Sequence, residues 1–546
     1  MKRNSSVTKI EMAGHDQRVL IRAQLWLQNF VQRSSVGNFW PVAFLIVFAA
    51  VSVICGLYYC SIVPSPDQSL YDYIAWQGTK GIPWYTGSFD VSWPGPFLIE
   101  DIGVRAFGVH RWTARLTDYL VLQPAIVALY FFLRSAGLRF AAAAVALAYP
   151  VIYVTSGGWQ AGHRDIVGMQ FLIAASAVLL TSKTSLRGGF LAGVTLGYAV
   201  MLRPTYLAFA PFLLIAAVPQ RPFDAKGIIA RALVPLTLGT LAVPLAFAVA
   251  GLAIGNLWDW FDQGVRFVLS VYQVDGSRWR LFGLAWIVIT QSITWLLVAG
   301  MLGGAIWVTN ATVIPRHLTL LVGMLCTVWI SYLVQNKGFG YHLGGLIPIL
   351  TLSALGAAEL ALQTQPTRPI RLVSRAAALC VLLLVAAGVA RRAQHYVLPF
   401  MAHLKVTDPT TFQDQVPSTN EAVAIISSES TPKDRFFQWG WNSDVGFLSQ
   451  RLSASRYVGP LFALIDERHA NYISWIGIFQ QELEQNKPEF ILLDLTTVPP
   501  TTNTEQFPIV LPAGSSKGLS ALIAIIDRDY VVRARWPDKI LFKRSA

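Results

Sequence analysis

The stretch "SIVPSPDQSLYDYIAWQGTKGIPWY", residues 61–85, sets two carboxylates, Asp67 and Asp72, just beyond an apolar run of membrane-crossing length. Other ionisable groups fall at similar boundaries. Asp90, Glu100 and Asp101 follow in the same loop, and "GGWQAGHRDIV" (157–167) adds His163, Arg164 and Asp165. Arg203 stands before Pro204, and "QNKGFGYHLGG" (335–345) brings Lys337, Tyr341 and His342. Ionisable residues at membrane boundaries are functional candidates, most strongly when several converge.

Their types suit transfer from a phosphate leaving group. A carboxylate can take a proton from an attacking hydroxyl. Arginine, lysine and histidine can hold a phosphate and stabilise the charge that grows on it as it departs. Such a leaving group needs little protonation, so one base suffices for inversion, unlike the two-carboxylate arrangement of glycosidases. The sequence has no Walker-type loop and no Gly-rich turn joining a strand to a helix, which points to a donor carried on a lipid rather than on a nucleotide.

Each residue also has a plainer role. Asp67 suits a helix N-cap, Asp72 a water-facing position, and Asp90, Glu100 and Asp101 solvated loop charges. His163, Arg164 and Asp165 could make a local salt-bridged turn, and Arg203 could end a helix and snorkel. Lys337 and His342 would serve as interfacial anchors, and Tyr341 as an aromatic-belt residue.

The elements that must position these residues are mostly membrane helices. The 546-residue chain is 54% hydrophobic and 13% charged, about half the charge of an ordinary soluble protein. Apolar segments lie at 41–63, 116–133, 141–155, 166–181, 188–203, 204–219, 232–255, 281–307, 317–334, 343–361 and 373–390, which predicts eleven crossings. Segments 188–203 and 204–219 meet at Leu202-Arg203-Pro204, either as a shallow hairpin or as one kinked helix. Charge favours the hairpin. With a cytoplasmic N-terminus, the tail and the loops on its side hold 17 Lys/Arg and three acids, against 10 and nine on the other side. Orientation therefore accounts for most of the +13 net charge, which gives no reason to propose nucleic acid as a partner.

Residues 1–40 form a basic segment without the apolar core of a signal peptide, so the first run reads as a retained helix. The predicted organisation is a cytoplasmic segment 1–40, a membrane domain 41–390 and an extracytoplasmic α/β domain 391–546. The last region holds 16 Lys/Arg and 16 Asp/Glu. In it "AVAIIS" (422–427), "RFFQWG" (435–440) and "FILLDL" (490–495) read as strands, and "YISWIGIFQQELEQ" (472–485) as an amphipathic helix. "NLWDWFDQGVRF" (256–267) suits an interfacial aromatic helix. The four cysteines lie in apolar runs without disulfide or metal spacing.

The order of features resembles the GT-C superfamily of membrane glycosyltransferases, in particular the bacterial protein O-mannosyltransferases and lipid A aminoarabinose transferases. "PDQSLY" (66–71) is similar to the family's Pro-Asp-Glu-x-x-Tyr, with Gln68 at the second acid. "GIPWYTGSFDVSWPGPF" (81–97) is similar to a stretch ending in Lys-Pro-Pro, with Trp93-Pro94-Gly95 in its place. "GHRD" (162–165) and "QNKGFGYH" (335–342) resemble two further family segments.

The resemblance implies transfer of a sugar from a polyprenyl phosphate on the outer face of a bacterial inner membrane. It makes Asp67 the catalytic base and has Asp165 orient Arg164 or a divalent metal. Tyr71, Asp72, Asp90, His163 and Arg164 would meet substrate, and Arg203, Lys337, Tyr341 and His342 would face the lipid phosphate. The expected partners are that donor, membrane lipid, and a glycan, lipid or protein acceptor. Competing readings are a transporter or lipid flippase, an O-antigen ligase or polymerase, and a non-catalytic scaffold.

Overall fold

The structure is a computed structural model that describes residues 39–158, 160–182, 185–218, 229–271, 279–310, 314–363, 368–403, 416–440, 443–458, 471–495 and 517–545. The basic segment expected at 1–40 lies almost wholly outside these residues, as do parts of the predicted cytoplasmic loops. The chain divides into two units, Met1–Val53 and Ile54–Ala546. Of the first, the described part is the opening of helix α1 (Phe39–Cys60), whose apolar side chains are largely exposed.

The second unit begins within α1 and continues with α2 (Pro66–Thr79), α3 (Gly95–Phe107), α4 (Thr113–Ser135), α5 (Arg139–Val154), α6 (Arg164–Thr181) and α7 (Leu186–Leu202). A 3-10 turn, Pro204–Phe209, leads into α8 (Ala210–Ala217). Then come α9 (Val234–Ile254), α10 (Leu257–Phe261), α11 (Trp279–Ser292), α12 (Thr294–Thr309), α13 (Pro315–Gln335), α14 (Leu346–Gln363) and α15 (Arg368–Arg392).

Among the described residues, seven spans are long and apolar enough to cross a membrane, and four shorter apolar helices accompany them. The chain is an integral membrane protein. The segment expected as a single crossing at 281–307 is broken at Ile293 into α11 and α12. The last apolar run does not end at 390: α15 continues through a π-helical turn, Ala393–Val397, to Leu398–His403. At 203 the chain leaves the helix in an extended conformation, as a residue before proline must, and re-enters it through the 3-10 turn.

The C-terminal region is α/β. It contains α16 (Pro417–Glu429), β1 (Phe436–Trp439), α17 (Asp444–Ser449), α18 (Tyr472–Asn486), β2 (Phe490–Asp494), α19 (Lys517–Asp529), β3 (Tyr530–Arg535) and β4 (Lys539–Arg544). The sheet order is β1-β2-β4-β3, with β1 and β2 parallel and the other pairs antiparallel. Alternation along the strands feeds two cores. Phe437, Trp439, Ile491, Leu493, Ile540 and Phe542 pack under α18 and α19, while Phe436, Phe490, Leu492 and Leu541 meet Ala422 and Ile426 of α16.

"AVAIIS", read as a strand, is therefore helical. Ala422 and Ile426, four apart, are buried in the core with Val423 and Ile425 packed partly against it, and Pro417 opens the helix at its first turn. The other two strands and the 472–485 helix stand as expected. The aromatic segment at 257 is a short helix with Trp258 and Phe261 exposed.

This region holds α2 in place. The Tyr73 hydroxyl donates to the Arg451 carbonyl at 2.7 Å, and the Ser453 N–H donates to Gln77 Oε1 at 3.0 Å.

Candidate active site

Helix α2 opens with a complete capping box. Ser65 is the N-cap, its Oγ accepting from the Gln68 N–H at 3.3 Å while Gln68 Oε1 accepts from the Ser65 N–H at 3.3 Å. The cap is thus Ser65 and not Asp67, and Gln68 replaces the family's second acid with a side chain that closes the helix start. Asp67 sits in the first turn, where the helix N-terminus favours negative charge. Gly162 approaches Gln68 so closely that a Cβ would lie 2.0 Å from its amide nitrogen, and its φ of +78° is one that side chains disfavour.

Just beyond Gly162, His163 joins the two acids. Its Nε2 lies 2.8 Å from Asp67 Oδ2 and its Nδ1 lies 3.0 Å from Asp165 Oδ2. The Asp165 backbone N–H is also 3.5 Å from Nδ1. An ionised Asp67 can only accept, so Nε2 is the donor across the 2.8 Å contact between them.

Asp165 in turn takes the Arg203 fork, Nε to Oδ1 at 2.7 Å and Nη2 to Oδ2. Tyr206 donates to the Asp165 carbonyl at 2.6 Å. A continuous chain, Asp67–His163–Asp165–Arg203, results. The orienting role expected of Asp165 toward Arg164 is directed to Arg203 instead.

Arg164 points elsewhere. Its Nη1 donates to the Ser92 hydroxyl, which also lies 3.0 Å from the Tyr71 hydroxyl. Tyr85 donates to the Ser92 carbonyl at 2.8 Å, and the Ser92 N–H donates to Asp90 Oδ1 at 2.6 Å. Ser92 is the hub of this cluster, and no sequence signal singles it out. Asp90 is buried rather than solvated, as is Glu100; Asp101 alone of the three makes a surface ion pair, with Arg105 at 2.7 Å.

The Tyr341 ring packs over His163 with centroids 3.8 Å apart, which takes it from an aromatic belt into the site. His342 is buried, its ring 6.5 Å from His163. Asn336 ends α13 in the left-handed conformation, φ +50°.

These segments line a cavity of about 460 Å³. Arg164, Arg203 and Lys337 supply its cationic part, with the His342 ring beside them, and Val91, Val265, Val268, Leu269 and Val334 form an apolar wall. Asp67 does not line the cavity itself. His163 does not line it either; Tyr341, which does, packs over the His163 ring, and Asp67 keeps about 24% of its side chain exposed. Asp72 is set apart: neither water-facing nor at the cavity, it is buried and hydrogen-bonded to Glu100.

Charge states follow from these partners. Burial alone would raise Asp67, but the His163 hydrogen bond and the charges of Arg164 and Arg203 hold it at about 2. Burial pushes Asp72 up to about 8, with Glu100 beside it well above its ordinary value. Asp90 is raised by burial against two Ser92 hydrogen bonds, and burial raises the Tyr71 phenol. Desolvation lowers Lys337 to about 8.

Among the described residues no group of three His, Cys, Asp or Glu side chains is placed to hold a metal ion. The oxygens of Asp165 are committed to Arg203 and His163. The donor set does not fit a divalent ion, and no step below is routed through one.

No family model matches the chain, and no curated protein sequence does. Solved structures do. ArnT from Cupriavidus metallidurans bound to undecaprenyl phosphate matches with TM-score 0.57 at 15% identity, over 94% of this chain and 99% of that one. The chain has a GT-C-like fold. Apo ArnT from the same organism matches with TM-score 0.53 at 12% identity, over 92% and 98%. The GT-C-like architecture expected from the order of helices and motifs therefore extends across nearly the whole chain, C-terminal α/β region included.

Proposed function

We propose that this protein is a glycosyltransferase that moves a sugar from a polyprenyl phosphate to an acceptor hydroxyl at the extracytoplasmic face of a bacterial inner membrane. The observation that carries the reading is one cavity with both an apolar wall and a polar cluster of Arg164, Arg203, Lys337 and His342, whose two arginines also act on the ionised Asp67 behind it. A phosphate bearing a long apolar chain matches both halves of that lining. ArnT, the match described above, was crystallised with such a lipid.

In this mechanism the cations bind the donor phosphate and stabilise the charge it gains. The acceptor oxygen attacks the anomeric carbon, the carbon–oxygen bond to phosphate breaks, and the electron pair leaves with the polyprenyl phosphate. Asp67 receives the acceptor's proton. A carboxylate held at about 2 is a weak base toward a neutral hydroxyl. Once the new bond forms, the oxygen is an oxonium far more acidic than Asp67, so the transfer comes late. His163 and Asp165 keep Asp67 ionised and fixed for that moment, and a single displacement inverts the anomeric centre. Tyr71, Asp90 and Ser92 hold Arg164 and form the wall beside the sugar, and the acceptor is a glycan, lipid or protein. The N-terminus is cytoplasmic and the 391–546 region extracytoplasmic.

A transporter or flippase would place its charges at mid-bilayer between inverted repeats. Here the ionisable residues gather at helix starts and loops. The deciding experiment incubates the purified protein with radiolabelled polyprenyl-phosphate sugars and candidate acceptors. Label passing to an acceptor, with release of polyprenyl phosphate, is expected; an intact donor across a broad acceptor panel would overturn the reading.

A further inference from the structure

Arg115 in the first turn of α4 is wholly buried and touches neither the cavity nor any carboxylate in a salt bridge, yet all of its nitrogens point at acceptors. Nη1 donates to the Ala161 carbonyl at 2.9 Å and the Tyr59 hydroxyl at 2.7 Å. Nη2 donates to the Val63 carbonyl at 2.6 Å and the Gly158 carbonyl at 3.3 Å, and Nε lies 3.4 Å from the Ile62 carbonyl. Gly158 approaches closely, a Cβ there standing 3.2 Å from Nη2.

A second route joins the same loops. Tyr59 donates to Asp118 Oδ2 at 2.7 Å, and Tyr153 donates to the Asp118 carboxylate at 2.8 Å while accepting the Gly162 N–H at 2.9 Å. The carbonyls so tied belong to the two connectors that carry Asp67 and His163. Ile62 and Val63 precede the Ser65 cap, and Gly158 and Ala161 precede His163. Neither connector is helical throughout, so its carbonyls need partners from outside. A planar guanidinium can reach four of them at once, whereas an ammonium is a single point with three donors.

We infer that Arg115, supported by Asp118 and Tyr153, is the positioning residue that sets the Asp67–His163 hydrogen bond, and through it turnover, without contacting the donor. The inference rests on the glycosyl-transfer reading, but its test has a readout that does not.

In ¹⁵N-histidine-labelled protein, the His163 Nε2 proton facing Asp67 should give a far-downfield resonance, assigned by its loss in His163→Gln. Arg115→Lys should move or broaden that resonance. It should also lower kcat by at least tenfold while KM for the donor and Kd for undecaprenyl phosphate stay within twofold. Tyr153→Phe, losing the Gly162 link and its hydrogen bond to Asp118 but keeping Arg115, should do the same more weakly. An unmoved resonance and full kcat in folded Arg115→Lys would overturn the inference, as would loss of undecaprenyl phosphate affinity in step with kcat. If Arg115→Lys does not fold, Tyr153→Phe decides, and an unchanged spectrum there overturns it. If the wild type transfers no sugar, the resonance alone decides.

Discussion

Asp67 and Asp72 lie five residues apart on α2 and meet opposite fates. Five residues turn a helix by about 140° beyond a full circle, so the two carboxylates leave on different faces. Asp67 turns toward His163 and the charges of Arg164 and Arg203 and is held at about 2. Asp72 turns inward to Glu100, with burial dominating and Arg115 its distant cation, and is raised to about 8. Both are desolvated; what separates them is whether hydrogen-bonded cations outweigh that desolvation. The first arrangement yields an ionised group close to the cavity's two arginines, and the second a hydrogen-bonded pair of acids that braces α2 against α3.

The sharpest way to break this contrast is to remove the charge that organises the first cluster. Asp165→Asn leaves Arg203 buried opposite a neutral amide and His163 without its second carboxylate. Breaking such a pair costs about 3–5 kcal/mol. A fall in thermal midpoint together with loss of transfer is expected, and a wild-type melting curve would contradict it.

A smaller effect is expected from Lys337→Ala, which removes one cation from the cavity. Undecaprenyl phosphate affinity should fall about tenfold, the worth of roughly 1.4 kcal/mol. Unchanged affinity in a binding titration would remove Lys337 from the phosphate site. The same residue gives a pH signature. Its ammonium, depressed to about 8, loses its proton as pH rises through that value, so donor affinity should decline on the alkaline side. Asp67, at about 2, stays ionised throughout and should contribute no acid limb between pH 5 and 8.

Much of this cluster was legible before folding. Asp67, Arg164, Asp165, Arg203 and Lys337 stand out because charge at a membrane boundary is rare and each lies beside a turn or helix start. Partners were not legible. His163 bridges two acids only because Gly162 lets its loop meet α2, 96 residues away from Asp67 in sequence. Ser92 is an ordinary serine until Arg164, Tyr71 and Tyr85 converge on it. The GT-C fold followed from helix order and motif order together. The strand expected at 422–427 failed because a short apolar run fits either period, and tertiary packing chose the helical one.

The second cluster should respond least. Asp72→Asn removes a group that is not at the cavity, and transfer should stay within about twofold, the scale of a change away from the chemistry. Its trace lies in stability against pH. A carboxyl raised from 3.8 to about 8 stabilises the fold fully below pH 4 and progressively less as pH rises to about 8. Asp72→Asn should flatten that decline in thermal midpoint; an unchanged slope would assign the decline to other groups.

Asp67→Asn removes the proposed base most directly. The variant keeps the shape of the side chain and, with Ser65 as the cap, the start of α2. Assayed with a radiolabelled polyprenyl-phosphate sugar and an acceptor that the wild type uses, it should lose transfer by about 10²-fold or more. It should still bind undecaprenyl phosphate as the wild type does. Full transfer by folded Asp67→Asn would contradict the assignment of the base.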